Sequence, residues 1–187
     1  MRWLQWLSDP PRFYVTHDGG ISWHIQTLSL PNGEASARLW ILAPTFFTSS
    51  EGLLPILFYI SGSDEGIDIY TTHDSGASWQ STTPLSTYIY QSGTTAQTMA
   101  ALSLVDMSHI WAVEGNGTPV YTTNDAGQHW ATLAGSSDYV NIQSLSFVSS
   151  TVGWAINRPD FDDSSILRTI DGGHTWTELF HTHQSQS

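Results

Sequence analysis

The sequence contains no cysteine and no lysine, and both absences exclude classes of function. Without cysteine the chain forms no disulfide, no thiolate metal site and no cysteine nucleophile. Five basic residues, all arginine, oppose seventeen acidic ones, and the formal net charge is −12. Such a chain has almost no electrostatic attraction to nucleic-acid phosphates or to an anionic bilayer. We therefore expect neither nucleic acid nor membrane as a partner.

A long uninterrupted hydrophobic run is also absent. Residues 1–13 lack a continuous apolar segment and a small-residue cleavage site, so they do not predict a secretory signal, and the compartment stays open. The most apolar window, residues 39–60, contains Pro44, Glu51 and Pro55, which argues against a membrane-spanning helix. We predict two buried strands joined by a turn there. With 187 residues, 40% of them hydrophobic, the chain can bury a sizeable core.

One short motif occurs four times along the chain, and the four copies align with one another without a gap. Each copy carries Thr, Asp, Gly and Trp at the same offsets, and successive Asp residues lie 56, 51 and 46 residues apart. β-rich residues precede each copy, and a second strand is predicted to begin after each Trp. The repeated Asp, Gly and Trp residues are Asp18, Gly20 and Trp23; Asp74, Gly76 and Trp79; Asp125, Gly127 and Trp130; and Asp171, Gly173 and Trp176.

The motif predicts a tight turn that is fastened by its own side chains. The Asp carboxylate can accept hydrogen bonds from downstream backbone N–H groups, and Gly supplies a positive φ. The Trp ring is expected to pack on the neighbouring sheet, where its burial contributes about 1.5–3 kcal/mol. We therefore predict that the repeated acids are structural. The third copy has His129 where the others have Ser or Thr, which predicts a looser turn.

These residues and their spacing resemble the Asp-box, or BNR repeat, of sialidase-like β-propellers. The fourth copy, with Gly153-Trp154-Ala155 upstream, looks especially like the BNR-type propellers that include photosystem assembly factors. The resemblance implies an all-β fold, a β-propeller of four-stranded antiparallel blades. It also favours an extracytoplasmic or secreted location.

Two further strand-like segments precede each of the last three copies, and an aromatic residue recurs on the second of them. Trp3 takes the same place before the first copy, so residues 1–7 are predicted to form the second strand of a first repeat that lacks its first strand. We predict fifteen strands in a single propeller arc, 1–187, with about four repeats and the first blade incomplete. The predicted repeats are 1–30, 34–85, 97–134 and 140–181, followed by a tail, 182–187, and we assign His181 and His183 to the polar C-terminal tail.

An open arc of four blades would expose apolar sheet faces and unpaired strand edges. Three arrangements avoid or explain this. The chain is the tail of a longer propeller with missing N-terminal blades, or two copies close head to tail as a homo-dimeric ring, or four blades form a compact monomer.

Acidic residues recur in the predicted loops between the second and third strands of every repeat. Grouped on one face, they would attract cations or basic ligands, whereas exposed loops also favour Asp for solubility alone. Asp160, Asp162 and Asp163 are the candidate Ca²⁺ ligands because oxygen ligands at short spacing suit a hard cation, although the EF-hand pattern is missing. No other cofactor is expected. The remaining loop acids are Asp9, Asp64, Glu65 and Glu114, and Asp68 comes just after the second of these loops; Asp64, Glu65, Asp68 and Glu114 are the ligand-face candidates.

The resemblance also raises glycoside hydrolysis. Sialidases use three arginines to hold a substrate carboxylate, with a Tyr and Glu pair as nucleophile and an Asp as acid/base. In this chain Arg168 directly precedes the fourth copy of the motif and Arg158 ends an outer strand, so neither is expected at a central pocket. We therefore predict a non-catalytic module that binds or scaffolds a glycan or protein ligand within a larger or oligomeric ring. The alternative is a sialidase-like or other glycoside hydrolase whose catalytic residues lie largely outside this chain.

Overall fold

The computed structural model describes residues 12–16, 18–30, 38–60, 64–82, 85–87, 101–113, 119–133, 141–160 and 162–183. Sixteen elements are assigned among these residues, and all of them are strands in antiparallel pairs. In this part of the chain there is no helix long and apolar enough to span a membrane. The chain divides into two compact units, Met1–Tyr88 and Ile89–Ser187, each with its own sheets.

The first unit contains two sheets. The first sheet pairs β1 (Arg12–Val15) with β2 (His24–Thr27). The second sheet has the order β3-β5-β6-β7, with β4 also paired to β5 and β8 also paired to β6. Its strands are β3 (Arg38–Ile41), β4 (Thr45–Phe46), β5 (Gly52–Ile60), β6 (Asp64–Thr72), β7 (Gln80–Ser81) and β8 (Leu85–Thr87).

The second unit contains two four-stranded sheets. The third sheet has the order β12-β11-β10-β9 and the fourth sheet the order β13-β14-β15-β16. The strands of the third sheet are β9 (Ala101–Leu104), β10 (Ile110–Val113), β11 (Val120–Thr123) and β12 (Ala131–Thr132). Those of the fourth sheet are β13 (Ile142–Phe147), β14 (Gly153–Asn157), β15 (Asp163–Thr169) and β16 (Thr177–His183).

The predicted all-β fold is confirmed, and the third and fourth sheets are four-stranded and antiparallel as predicted, whereas the second sheet has six strands. Strands precede and follow every copy of the motif, and each following strand begins at the residue after the Trp. The window 39–60 holds strands, as predicted, but the first of them is split into β3 and β4 around Pro44, which has no N–H to donate to a ladder. The strand predicted at residues 1–7 lies outside the described residues.

The assignment of His181 and His183 to a polar tail is wrong. Strand β16 runs to His183, with His181 opposite Ser165 and His183 opposite Asp163. The reason is that β15 begins as early as Asp163 and supplies backbone partners along this whole stretch. Polar residues take part because pairing depends on the backbone, whereas side-chain polarity decides only which face a residue suits.

Each unit has its own hydrophobic core between two sheets. In the first unit Leu28, which directly follows β2, packs with Leu54, Ile56 and Tyr70 of the second sheet. In the second unit the third and fourth sheets share one cluster of ten buried residues. Its members are Trp111, Val113, Val120, Leu133, Ile142, Leu145, Phe147, Ala155, Leu167 and Trp176. Full burial of a large apolar side chain contributes about 1.5–3 kcal/mol, so these clusters are the main stabilising contacts.

Candidate functional site

All four copies of the motif form the same hydrogen-bonded turn. In the fourth copy Thr169 Oγ1 donates to Asp171 Oδ1 (2.8 Å) and accepts from the Gly173 N–H (2.9 Å). The Thr175 backbone N–H donates to Asp171 Oδ1 (2.9 Å), and its hydroxyl donates to Oδ2 (2.6 Å). The first and second copies repeat these bonds around Asp18 and Asp74. Both oxygens of each carboxylate are therefore occupied within its own turn.

The backbone of each turn has two consecutive residues with positive φ. The second of them is always the motif Gly, with φ between 82° and 95°, where a Cβ would be strained. The first is Ser75 in the second copy and Ala126 in the third, and both have side chains. Their N–H groups donate to carbonyls of the preceding hairpin, at Ser50 (2.9 Å) and Ser108 (3.1 Å). These bonds hold the strained residue and tie each turn to its own sheet.

The third turn is not looser, so the prediction drawn from His129 is wrong. The His129 backbone N–H donates to Asp125 Oδ1 (2.9 Å), and the His129 imidazole Nδ1 lies 2.6 Å from Asp125 Oδ2. This separation equals that of the hydroxyl bonds in the other copies. An imidazole nitrogen thus takes the place of the hydroxyl because it reaches the same carboxylate oxygen.

The turn bonds stabilise the ionised form of all four carboxylates. The pKa of Asp18, Asp74, Asp125 and Asp171 is lowered from 3.8 to about 2 in each case. The main cause is the residue four positions downstream, through its side chain in three copies and through the backbone N–H of His129 in the third. A group with so low a pKa carries no proton at neutral pH and cannot serve there as a general acid.

The motif tryptophans differ in burial. Trp176 is buried and meets Phe147 edge to face, with ring centroids 6.0 Å apart. Trp79 meets Phe13 of the first sheet in the same manner, at 6.3 Å. Trp23, however, is 57% exposed, so the prediction that every motif Trp packs on a neighbouring sheet is wrong for the first copy. Trp23 directly precedes β2 of the first sheet, and its indole N–H donates to the carbonyl of Gly20 in its own turn (3.2 Å).

Asp68 is not an exposed ligand-face residue, and the prediction that placed it there is wrong. It lies within β6, opposite Ile56, and its side chain is fully buried. Ser81 Oγ donates to Asp68 Oδ2 (2.9 Å), whereas Oδ1 has no hydrogen-bond partner. Burial raises the pKa of Asp68 to about 6, against a smaller opposing effect of the Ser81 hydroxyl. The local sequence does not indicate this burial, because an Asp between two Ile residues predicts the polar face of a half-buried strand.

Of the other ligand-face candidates, Asp64 and Glu65 lie in the described part of the chain. Asp64 and Glu65 begin strand β6, so their predicted position in a loop is wrong; the hairpin places them opposite Ile60 and Tyr59. Asp9 and Glu114 lie outside the described residues. Sequence reasoning missed Asp106, whose Oδ1 accepts the backbone N–H groups of Ser108 (2.7 Å) and His109 (2.8 Å).

The candidate calcium ligands form a turn. Asp160 Oδ1 accepts the backbone N–H groups of Asp162 (2.9 Å) and Asp163 (2.8 Å). Asp163 then begins β15, and its carboxylate lies 3.7 Å from His181 Nε2. Within the described ranges no three His, Asp or Glu side chains are grouped closely enough to hold a metal ion. Calcium binding by these residues stays a prediction.

The comparisons agree with this geometry. The family model of the BNR/Asp-box repeat matches residues 14–24. A mutant NanB sialidase from Streptococcus pneumoniae is similar in structure, with 16% identity and a TM-score of 0.52 over 92% of this chain and 28% of that one. YCF48 from Cyanidioschyzon merolae matches with 16% identity and a TM-score of 0.49 over 90% of this chain and 64% of that one.

YCF48 bound to D1 peptide matches with 18% identity and a TM-score of 0.47, over 77% of this chain and 44% of that one. No curated protein sequence matches the chain. The chain thus spans less than two thirds of each of these three structures.

The fold and the four turns define an all-β protein of antiparallel sheets that are fastened by Asp-box hairpins. The predicted resemblance to the Asp-box, or BNR-repeat, sialidase-like β-propellers is confirmed by the repeat match and by the similarity to the sialidase fold.

Proposed function

We propose that the chain is a non-catalytic Asp-box β-propeller module that binds or scaffolds a glycan or protein ligand as part of a larger or oligomeric ring. The observation that carries this proposal is the hydrogen bonding and ionisation of the four repeated carboxylates. Each has both oxygens engaged in its own turn and a pKa near 2, so none is free to donate or abstract a proton. Their role is to fix the hairpins, which leaves the sheets and loops as rigid supports for a ligand.

A glycoside hydrolase is the competing proposal, and Asp68 is the observation that favours it. Its pKa of about 6 is in the range of a general acid. Its burial argues the other way, because a catalytic carboxyl must reach the glycosidic oxygen. In this alternative the remaining catalytic residues lie outside the chain.

Turnover assays separate the two proposals. The purified chain is incubated with fluorogenic sialosides and a panel of aryl glycosides, and we expect no release of fluorophore or phenol. The Asp68→Asn variant tests the one acid with a raised pKa, and Glu178→Gln, which changes an exposed acid, is the matched control. Turnover that Asp68→Asn abolishes and Glu178→Gln retains would overturn the binding-module proposal.

Ligand binding has its own test, on an immobilised glycan panel. The double variant Asp64→Asn/Glu65→Gln removes two candidate acids from the start of β6. The control Glu51→Gln/Glu178→Gln removes the same charge from positions outside the candidate set. We expect the first double variant to weaken binding by about tenfold, which corresponds to about 1.4 kcal/mol, and the control to leave it unchanged. Equal loss in both would mean that these acids act through net charge alone.

A further inference from the structure

The fourth sheet has an exposed apolar face. Val148, Ile156, Ile166 and Leu179 are each between 42% and 66% exposed. Ile156 and Ile166 are direct cross-strand partners, so their side chains lie on the same face of the sheet. Trp154 lies two residues before Ile156, and the Arg168 guanidinium lies 5.9 Å from its ring centroid. An apolar face of this kind marks an interaction surface.

The repeat shows what these positions do elsewhere in the protein. Ile166 lies three residues before the motif Thr, as Val120 does in the third sheet, and Ile156 pairs with Ile166 as Val113 pairs with Val120. Leu179 and Leu133 each follow the motif Trp by three residues, and Val148 and Val105 occupy the same hairpin position. The four counterparts are Val105, Val113, Val120 and Leu133, and all of them pack in the core shared with the fourth sheet.

The residues that cover these counterparts come from the sheet that follows. Trp111 of the third sheet stacks on Phe147 of the fourth, with centroids 3.9 Å apart and planes at 7°. Its indole N–H donates to the Gly172 carbonyl in the fourth Asp-box turn (2.9 Å). Leu167 and Trp176 complete the covering surface. The counterpart of Trp111 is Trp154, since each faces the residue just before the motif Thr across the strand pair.

Two positions of such a covering surface are exposed on the described part of the first sheet. Tyr14 corresponds to Leu167, two residues before the motif Thr, and is 63% exposed. Trp23 corresponds to Trp176 and is also exposed. In the second sheet the same two positions are Tyr70, which is fully buried, and Trp79, which contacts the first sheet. The described residues therefore include exposed positions of both kinds, those that are covered in the third sheet and those that cover them.

We propose that the exposed face of the fourth sheet binds the first sheet of a second copy of this chain, head to tail. Ile156 and Ile166 pack against the partner copy's Tyr14 and Trp23, and the Trp154 indole N–H donates to the partner copy's Gly19 carbonyl. Two such contacts close a pair of copies into a ring. The inference deepens the ring part of the proposed function and is independent of any ligand.

The charges agree with this assignment. Arg168 lies on the fourth-sheet face beside Trp154, and Asp18, ionised in its turn, precedes Gly19 on the first sheet. Opposite charges thus flank the shared indole contact. The copies as a whole repel each other, because each has a net charge of −12. Association should therefore strengthen as added salt screens the repulsion.

The test is the native mass of the full chain, measured by light scattering behind a sizing column at about 10 µM and about 0.15 M salt. We expect about twice 20.6 kDa. Ile166→Asp and Tyr14→Asp each bury a charge in one half of the contact, and each should weaken association at least tenfold and give a monomer. Ile170→Asp is the matched control, because Ile170 is exposed and its counterparts in the second and third copies are His73 and Asn124.

Each outcome supports or overturns the proposal. A monomeric native chain overturns it, and so does a dimer that neither variant dissociates. A dimer that Ile166→Asp dissociates and Tyr14→Asp leaves intact means that two fourth sheets face each other, which also overturns it. Far-UV circular dichroism checks that the variants fold. If Ile166→Asp does not fold, Trp154→Phe removes the indole N–H and part of the ring surface and should still weaken the dimer measurably. The turnover and glycan-binding assays are read independently of the native mass, so the binding-module proposal and the dimer proposal can fail separately.

Discussion

The stability of Asp68→Asn relative to the native chain is expected to rise as the pH increases from acid to neutral. The carboxyl is fully buried, one of its oxygens has no partner, and its pKa is raised from 3.8 to about 6. The folded state therefore holds this proton more tightly than the unfolded chain does. The corresponding stability is fully present below pH 3.8 and is lost as the pH rises through 6.

The size of the effect follows from the shift in pKa. A difference of about two units corresponds to about 3 kcal/mol of stability lost between pH 4 and pH 8. Asparagine keeps the oxygen that accepts the Ser81 hydroxyl and carries no charge at any pH. Its amide N–H₂ replaces the unpartnered Oδ1, and this unsatisfied donor costs about 1–3 kcal/mol at every pH. The informative quantity is therefore the change with pH.

Urea unfolding followed by tryptophan fluorescence measures this quantity at pH 4, 6 and 8. The free energy of unfolding of Asp68→Asn relative to the native chain should rise by about 3 kcal/mol from pH 4 to pH 8. Glu178→Gln, at an exposed site, serves as the control and should give a flat difference. A flat difference for Asp68→Asn as well would refute the claim that this carboxyl is destabilised by burial.

Three further predictions concern the Asp-box turns. His129→Ala removes the contact of the imidazole with Asp125, so it should lower the free energy of unfolding by at most about 1 kcal/mol, whereas His129→Ser should restore it; thermal denaturation compares the two. Gly173→Ala forces a Cβ to within 2.9 Å of Leu133 at a φ of +95°, so its melting temperature should fall further than that of Gly19→Ala, which has the strain at +72° without the clash. Because the four box carboxylates have lowered pKa values, the stability that they contribute is present above pH 3.8 and is lost as the pH falls through about 2; acid titration of the circular dichroism signal should show this loss, and constant stability from pH 4 to pH 2 would contradict it.

The local structure was predictable from the sequence because the motif determines its own hydrogen bonds. Thr, Asp and Gly at fixed offsets, with a donor residue four positions after the Asp, form the turn, and the strands on either side follow from β-rich runs such as Ile67–Tyr70. The substitution at His129 shows where residue type misleads. A hydroxyl was expected from the pattern, but only the reach of a donor to Asp125 matters, and an imidazole has it.

Burial was the part that the sequence could not provide. Every motif Trp follows Thr, Asp and Gly at the same offsets, yet Trp176 is buried and Trp23 is exposed, because burial depends on whether another sheet lies against that face. Asp68 was placed with the loop acids by its sequence neighbours, and the nine-residue strand β6 instead carries it into the core. Such outcomes depend on pairing and packing between distant segments, which spacing within one repeat does not encode.

Carboxyl ¹³C NMR titration shows whether the four repeated acids are held by hydrogen bonds within their own turns. We expect four Asp carboxyls that titrate at about 2, assigned to the four Asp-box turns, and a fifth, Asp68, that titrates at about 6. Box carboxyls that titrate at or above 3.8 would contradict this expectation, because they would then lack the hydrogen bonds on which the turns depend.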